Sequence, residues 1–151
     1  MDASALGKQG APFDLHVELG KVREFARAVK CDHPSYMAED HPVVPPTFLT
    51  TAFHWELDVP GANPWSLLHV DQKRGLHAEQ EYVFHGPPPR AGARLSARSR
   101  IAEVYEKQGR RGGTLTFAVM ITEFFDEHGK LVAEARLTGV ETQKPPEETS
   151  K

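Results

Sequence analysis

Apolar residues in the N-terminal third of the chain recur at the spacing of one helix face. They fall at positions i, i+3, i+4 and i+7 and comprise Val22, Phe25, Ala26 and Val29. This period predicts an amphipathic helix over about Gly20 to Lys30. Prolines at positions 34, 42, 45 and 46 prevent the helix from continuing, because proline lacks the backbone N–H that a helix interior uses. The segment that follows the helix is therefore predicted to be a loop.

A second helix is predicted to open at Pro46 and Thr47 and to run to about Trp55 or Leu57. Proline suits the first helical turn, where a missing N–H leaves no intrahelical bond unmade. The apolar side chains cover much of the circumference and comprise Phe48, Leu49, Ala52, Phe53 and Trp55. Such coverage is typical of a buried helix. The stretch 65–75 shows no clear period, and we assign no element to it.

The C-terminal half alternates apolar and polar residues with the period of two that marks β-strands. The clearest strand spans Leu115 to Phe125, and three more are predicted over His77–His85, Leu95–Lys107 and Leu131–Leu137. Two helices followed by four strands, joined mostly by hairpins, predict an α+β fold with an antiparallel sheet. The second helix is the element best suited to cover the apolar face of that sheet.

Composition limits the chain to one domain and narrows its partners. The 151 residues are 39% hydrophobic, which suffices for a single core. We expect a flexible arm over 1–12, the folded domain over 13–142 and a disordered tail over 143–151. A formal charge of −3 gives no electrostatic reason to expect nucleic acid or an anionic membrane surface as partner. One cysteine and the lack of a signal-peptide or membrane-spanning pattern predict a cytoplasmic protein.

The loop after the first helix contains the most informative motif of the chain. It reads Cys31-Asp32-His33-Pro34-Ser35-Tyr36 and is followed by Pro45-Pro46-Thr47-Phe48. The motif resembles the catalytic loop of MaoC-like (R)-specific enoyl-thioester hydratases and dehydratases, which reads roughly Asp-x-Asn-Pro-x-His and precedes a central helix. Aligned on the proline, the family's catalytic Asp corresponds to Cys31 and its His to Tyr36. A Tyr there is typical of the family's non-catalytic half, the FAS1-like dehydratase type.

Three other segments support the resemblance, which covers roughly Phe13 to Glu141. They are similar to the family's first helix (Val22–Val29), to its strand after the central helix (Val70–Tyr82) and to a later hairpin (Glu106–Phe117). The resemblance implies a single hotdog fold, in which an antiparallel sheet wraps around a long central helix.

The family's catalytic Asp and His are both replaced in this chain, by Cys31 and Tyr36, so we assign the chain no catalytic residue. The resemblance implies a hotdog subunit that shapes the acyl tunnel of a hydratase or dehydratase, with a catalytic MaoC-like protein as partner. The ligand would be an acyl thioester of coenzyme A or acyl carrier protein, and no cofactor or metal is expected. The expected substrate-binding residues are Tyr36, Pro46, Thr47 and Phe48.

Two other functions remain open from the sequence. Hotdog thioesterases often use a carboxylate on the central helix, and Glu56 lies near the end of that predicted helix. Alternatively, the chain forms a homodimer that binds an acyl thioester without turning it over. His33 and His41 could replace the missing base, although a structural hydrogen bond within the loop is the expected role of His33. Cys31 has only Lys30 as a basic neighbour, which favours an unreactive thiol.

Overall fold

The computed structural model describes residues 1–110 and 113–143, and its main element is a five-stranded antiparallel sheet. The strands are β1 (Phe13–His16), β2 (Gly75–Phe84), β3 (Arg94–Gln108), β4 (Thr114–Phe125) and β5 (Leu131–Thr142). Their order across the sheet is β1-β3-β4-β5-β2, with every neighbouring pair antiparallel. The predicted α+β class and the four C-terminal strands are confirmed. The first strand, β1, was not predicted.

The α-helices are α1 (Leu19–Ala28), α2 (Pro34–Met37) and α3 (Ala52–Leu57), and 3-10 turns occupy Ala3–Ala5, Phe48–Thr51 and Pro64–Leu68. We call the turn Phe48–Thr51 and α3 together the central helix. It starts later than predicted, at Phe48, whose N–H makes the first turn bond, to the Pro45 carbonyl at 2.9 Å. The central helix ends at Leu57 and is shorter than the long helix that we expected.

Helix α1 ends in a hydrogen-bonded cap that also fixes the start of the Cys31–Tyr36 loop. Lys30 adopts a left-handed conformation with φ of 57°. The Cys31 N–H donates to the Ala26 carbonyl at 2.8 Å, and the Lys30 N–H donates to the Arg27 carbonyl at 3.0 Å. This pair of bonds is the Schellman arrangement, which satisfies the last carbonyls of a helix.

The core lies between the helices and the inner face of the sheet. Phe124 of β4 is paired in register with Ala97 of β3 and with Ala133 of β5, and all three are fully buried. Small side chains on both sides of a large ring leave room for helix residues to pack against the sheet. Phe48 of the central helix fills part of this space and contacts the edge of the Phe25 ring, with 5.6 Å between ring centroids.

The segment 1–12, expected to be a flexible arm, is instead hydrogen-bonded to the sheet. The Gly7 and Gly10 N–H groups each donate at 2.9 Å to carbonyls of β3. Strand β3 has 15 residues and β1 only 4, so the arm pairs with a part of the β3 edge that β1 leaves open. Gly10 is required there, since a Cβ at this position would overlap the carbonyl of Ala62. Of the predicted tail 143–151, all but Gln143 lies outside the described residues.

Candidate functional site

We use the name main cavity for the cavity between the central helix and the inner face of the sheet, which has a volume of about 290 Å³. Most of its wall is apolar and includes Phe13, Leu49, Ala52, Phe53, Trp65, Met120, Phe124, Ala135 and Leu137. Its polar lining consists of Thr50, Glu56, Asn63, His77, Gln80 and Thr122. An apolar cleft with a few polar groups is the usual character of a small-molecule site.

One face of the central helix provides the helical wall of this cavity. Its members fall at i, i+3, i+4 and i+7 and are Leu49, Ala52, Phe53 and Glu56. Residues at this spacing share a helix face, so the helix presents three apolar side chains and one carboxyl to the cavity. The sequence contains this signal, and we missed it because Glu56 was assigned to the end of the helix and not to its apolar stripe.

Glu56 is the buried carboxyl of the cavity and is only 4% exposed. The Ser99 hydroxyl of β3 donates to Glu56 Oε1 at 2.7 Å, and Thr122 of β4 lies 2.8 Å from the same hydroxyl. Burial raises the pKa of the Glu56 carboxyl above its ordinary value of 4.5, and the Ser99 hydrogen bond opposes that rise only in part. The central helix is thus linked to the sheet by a chain of buried hydrogen bonds.

Trp65, from the stretch to which we assigned no element, forms another wall of the cavity. Asn63 caps the 3-10 turn Pro64–Leu68 by accepting a hydrogen bond from the Trp65 N–H at 2.9 Å. The indole lies against Gly139 of β5, where a Cβ would come within 2.5 Å of the ring. Trp65 can therefore occupy this position only because residue 139 has no side chain.

The two positions that correspond to the family's Asp and His do not line the main cavity. Cys31 is half-buried behind the cap of α1, and Tyr36 is half-buried on α2. The loop hydrogen bond expected for His33 is present, since its Nδ1 accepts from the Ser35 N–H at 3.2 Å and caps α2. His41 lies in a separate groove, with Nδ1 3.1 Å from the Ala91 carbonyl.

The remaining predicted binding residues divide between surface and core. Pro46 and Thr47 are exposed, and the Thr47 side chain makes no capping hydrogen bond to the central helix. Phe48 is fully buried among core residues and lies behind the cavity wall, which its neighbours Leu49 and Thr50 form. A test of our prediction that Phe48 binds substrate must therefore separate two effects of a Phe48 substitution, the loss of core stability and any change in ligand binding.

Residues 1–110 and 113–143 contain no group of three or more His, Cys, Asp or Glu side chains placed to hold a metal ion. Among the same residues, no helix combines the length and the apolar character that crossing a membrane requires.

Phe48→Ala is expected to lower the free energy of unfolding by about 3–5 kcal/mol, because it removes a fully buried ring from a packed core. Phe53→Ala, on the same helix, is the matched control and should cost much less, since Phe53 is 52% exposed. Chemical denaturation of both variants checks this. A stable Phe48→Ala protein with altered acyl-chain preference would instead assign Phe48 to the binding site.

Glu56→Gln is expected to change how stability depends on pH. A carboxyl whose folded-state pKa is raised contributes stability that is complete below the unfolded value and is lost as pH rises through the folded-state pKa. The wild type should therefore lose free energy of unfolding relative to Glu56→Gln as the pH rises above the ordinary carboxyl value of 4.5. Glu106→Gln, at an exposed position of β3, should show no such divergence. Parallel stability curves for Glu56→Gln and wild type would contradict the raised pKa.

Comparison with known proteins agrees with this fold. The family described as "FAS1-like, dehydratase domain region" matches residues 4–135. A UPF0336 protein of Parafrankia sp. is 33% identical over 131 residues, which are 80% of this chain and 82% of that protein. A UPF0336 protein of Mycobacterium tuberculosis is 35% identical over 133 residues, or 78% of this chain and 71% of that one.

A solved structure extends the comparison to three dimensions. It is the C-terminally truncated HadBC (3R-hydroxyacyl-ACP dehydratase) complex of Mycobacterium tuberculosis. One of its chains is 32% identical, with a TM-score of 0.69 over 93% of this chain and 99% of that chain. The predicted hotdog fold is thereby confirmed, with a central helix shorter than expected. The chain belongs to the FAS1-like dehydratase domain family of MaoC-like hotdog proteins.

Proposed function

We propose that this chain is the accessory subunit of an (R)-specific 2-enoyl-thioester hydratase, or of the 3-hydroxyacyl-thioester dehydratase that runs the reverse reaction. In this proposal its cavity holds the acyl chain, and a MaoC-like hotdog partner supplies the catalytic Asp and His. The observation that carries the proposal is the position of the main cavity beside an edge strand of the sheet. His77 and Gln80 in its lining belong to β2, which pairs with a neighbouring strand on one side only. Phe53, also in the lining, is about half exposed.

The central helix has an apolar surface that this chain leaves open to solvent. Phe53 is 52% exposed and Leu57 is 61% exposed, and the two side chains are neighbours at i and i+4. Exposed apolar side chains next to an unpaired strand edge are typical of an interface between subunits. A second hotdog placed against β2 and this helix face would cover the apolar surface and close the cavity.

The likeness to HadBC supports a heteromeric assembly, because that structure is described as a complex with 3R-hydroxyacyl-ACP dehydratase activity. In our proposal the acyl group is carried by coenzyme A or by acyl carrier protein, and the assembly acts in the cytoplasm. A homodimer that binds the thioester without turnover is the alternative assembly that the experiment below distinguishes.

Hydration of the enoyl thioester needs an acid–base pair, and in our proposal the partner supplies it, because Cys31 and Tyr36 stand at the positions of the family's Asp and His in this chain. A base takes a proton from water, the water oxygen bonds to C3, and C2 gains a proton as the C2=C3 double bond is lost. Groups that transfer these protons contribute about 10²–10⁴-fold each to the rate. Our chain would contribute position and shape, holding the acyl chain in one orientation and excluding water from it. Pro46 and Thr47, exposed at the start of the central helix, and Tyr36 remain our proposed contacts for the thioester end.

The deciding experiment is hydration of crotonyl-CoA and longer 2-enoyl-CoAs by the chain alone and by the chain co-expressed with a MaoC-like subunit whose Asp-x-Asn-Pro-x-His loop is intact. We expect turnover only from the complex, with a chain-length profile that the partner alone lacks. Loss of the enoyl absorbance measures the rate. Robust hydration by the chain alone would refute the accessory role and would direct attention to His33, His41 and Tyr36.

The same preparation tests the interface. The double variant Phe53→Asp, Leu57→Asp should fail to assemble and sediment as the 16.8 kDa monomer, because it places charges on the proposed contact surface. Leu6→Asp is the matched control, since Leu6 is 54% exposed but lies in the N-terminal segment. If Leu6→Asp disrupts assembly as much as the double variant does, the helix face is not the interface.

A second candidate function is hydrolysis of the acyl thioester with Glu56 as base or nucleophile. It is favoured by one observation, the burial of this carboxyl in the wall of the main cavity. Hydrolysis of acyl-CoA by the purified chain, lost in Glu56→Gln, would establish it. Failure to release free coenzyme A leaves the accessory role as the better account.

A further inference from the structure

Three residues of the main cavity also line a neighbouring cavity of about 190 Å³, which we call the second cavity. The shared residues are Trp65, His77 and Leu137. Trp65 has the largest side chain of the three, so its indole forms the main part of the partition between the two cavities. The other walls of the second cavity are largely apolar and include Val70, Gly75, Leu76 and Val140.

Trp65 and the start of the central helix lie at opposite ends of the main cavity. The Thr50 side chain is hydrogen-bonded to the Tyr82 hydroxyl, and Tyr82 of β2 is paired in register with Ala135 of β5. The Trp65 indole lies against Gly139 of the same strand. Four residues of extended chain separate Ala135 from Gly139, a distance of about 13 Å. A ligand that enters beside the start of the central helix therefore meets the indole at the far end of the cavity.

The position of the Trp65 ring depends less on core packing than that of its neighbours. The ring is only partly buried, whereas Leu68 and Pro64 of the same 3-10 turn are fully buried. The backbone of the turn is also held by the Asn63 cap. A smaller residue at position 65 should therefore open the partition without displacing the turn.

We propose that Trp65 sets the longest acyl chain that the main cavity accepts, and that the second cavity receives the end of a longer chain when this ring is reduced. The inference rests on the proposed function, in which the main cavity holds the acyl chain. The walls of both cavities are largely apolar, and they lie in line from the start of the central helix. Each methylene group that leaves water for such walls improves affinity about fourfold, until the chain reaches the indole.

The test is calorimetric titration of the full purified chain with saturated acyl-CoA thioesters of increasing even chain length. We expect the affinity of the wild type to rise about fourfold per methylene group up to a limiting length and then to level off. In Trp65→Ala the rise should continue for about two further methylene groups or more. Trp65→Phe, which keeps part of the apolar packing, should extend the limit by less.

Trp55→Ala is the matched control, because it removes the other tryptophan of the chain. Trp55 packs against the core cluster that contains Phe48, and its loss should leave the limiting length unchanged. Thermal midpoints of all variants show which of them retain the fold. An unchanged limiting length in folded Trp65→Ala or Trp65→Phe would overturn the inference.

The double variant Trp65→Ala, Val70→Trp identifies the source of the gain. Val70 lines the second cavity, so a new ring there should fill it and return the limiting length to that of the wild type. An extended limit that survives Val70→Trp would overturn the inference, because the longer chain would then occupy only the space vacated by the indole.

The two proposals fail in different ways. If affinity rises with chain length and levels off at the same length in wild type and in both Trp65 variants, Trp65 is not the limit and the accessory role stands. If the wild type binds no acyl-CoA of any length, the accessory role fails together with the inference about Trp65.

Discussion

Covering the inner face of the sheet is the constraint on which the rest of this molecule depends. An apolar sheet face exposed to water is unfavourable, and the central helix is the principal element packed against it. The sheet is large, with 15 residues in β3 and 12 in β4, whereas α3 has only 6. Phe48, Leu49 and Phe124 pack in one buried cluster, and the main cavity lies beside it, with Leu49 and Phe124 in its wall.

Hydrogen bonds among Glu56, Ser99 and Thr122 connect the central helix to the sheet, alongside the apolar contacts between them. Ser99 and Thr122 lie on the inner face of the sheet at positions where the strand pattern would accept apolar residues. Their hydroxyls form the chain that ends on Glu56 and so fix one side of the central helix against the sheet. Apolar packing is not directional, whereas this chain of hydrogen bonds has one geometry, and it defines the orientation of the carboxyl toward the cavity.

The loop that resembles a catalytic loop uses its polar groups for structure. The Cys31 backbone closes the cap of α1, and the His33 ring caps α2. Nδ1 of His33 is thus engaged in a structural hydrogen bond. This arrangement is consistent with the proposed division of labour, in which the acid–base groups belong to a second subunit.

The sequence predicted those parts of the fold in which side-chain alternation is strong. Strand β4 was placed within one residue of its observed start, although its buried residues Ala118, Met120 and Phe124 have the parity opposite to that of the apolar series from which it was predicted. Strand β1 has only 4 residues, too few to establish a period. The packing of the N-terminal segment was missed because it depends on backbone hydrogen bonds from glycines, which leave no trace in a hydropathy pattern.

The candidate site was predicted less well than the fold, and the reason is geometric. Resemblance to a family indicated the loop and the start of the central helix, but a cavity is defined by which face of each element points inward. For Glu56 that information was available from its spacing to Leu49 and Phe53. For Trp65 it was not, since its position depends on contact with Gly139, more than 70 residues later in the chain.

That contact gives the molecule a simple means of changing the dimensions of its cavity. Trp65 lies against β5 only because residue 139 is glycine, and the first carbon of any side chain there would come within 2.5 Å of the ring. The indole would have to shift, and the part of the cavity wall that it forms would shift with it. A side chain at residue 139 would therefore change the dimensions of the main cavity although Gly139 does not itself line it.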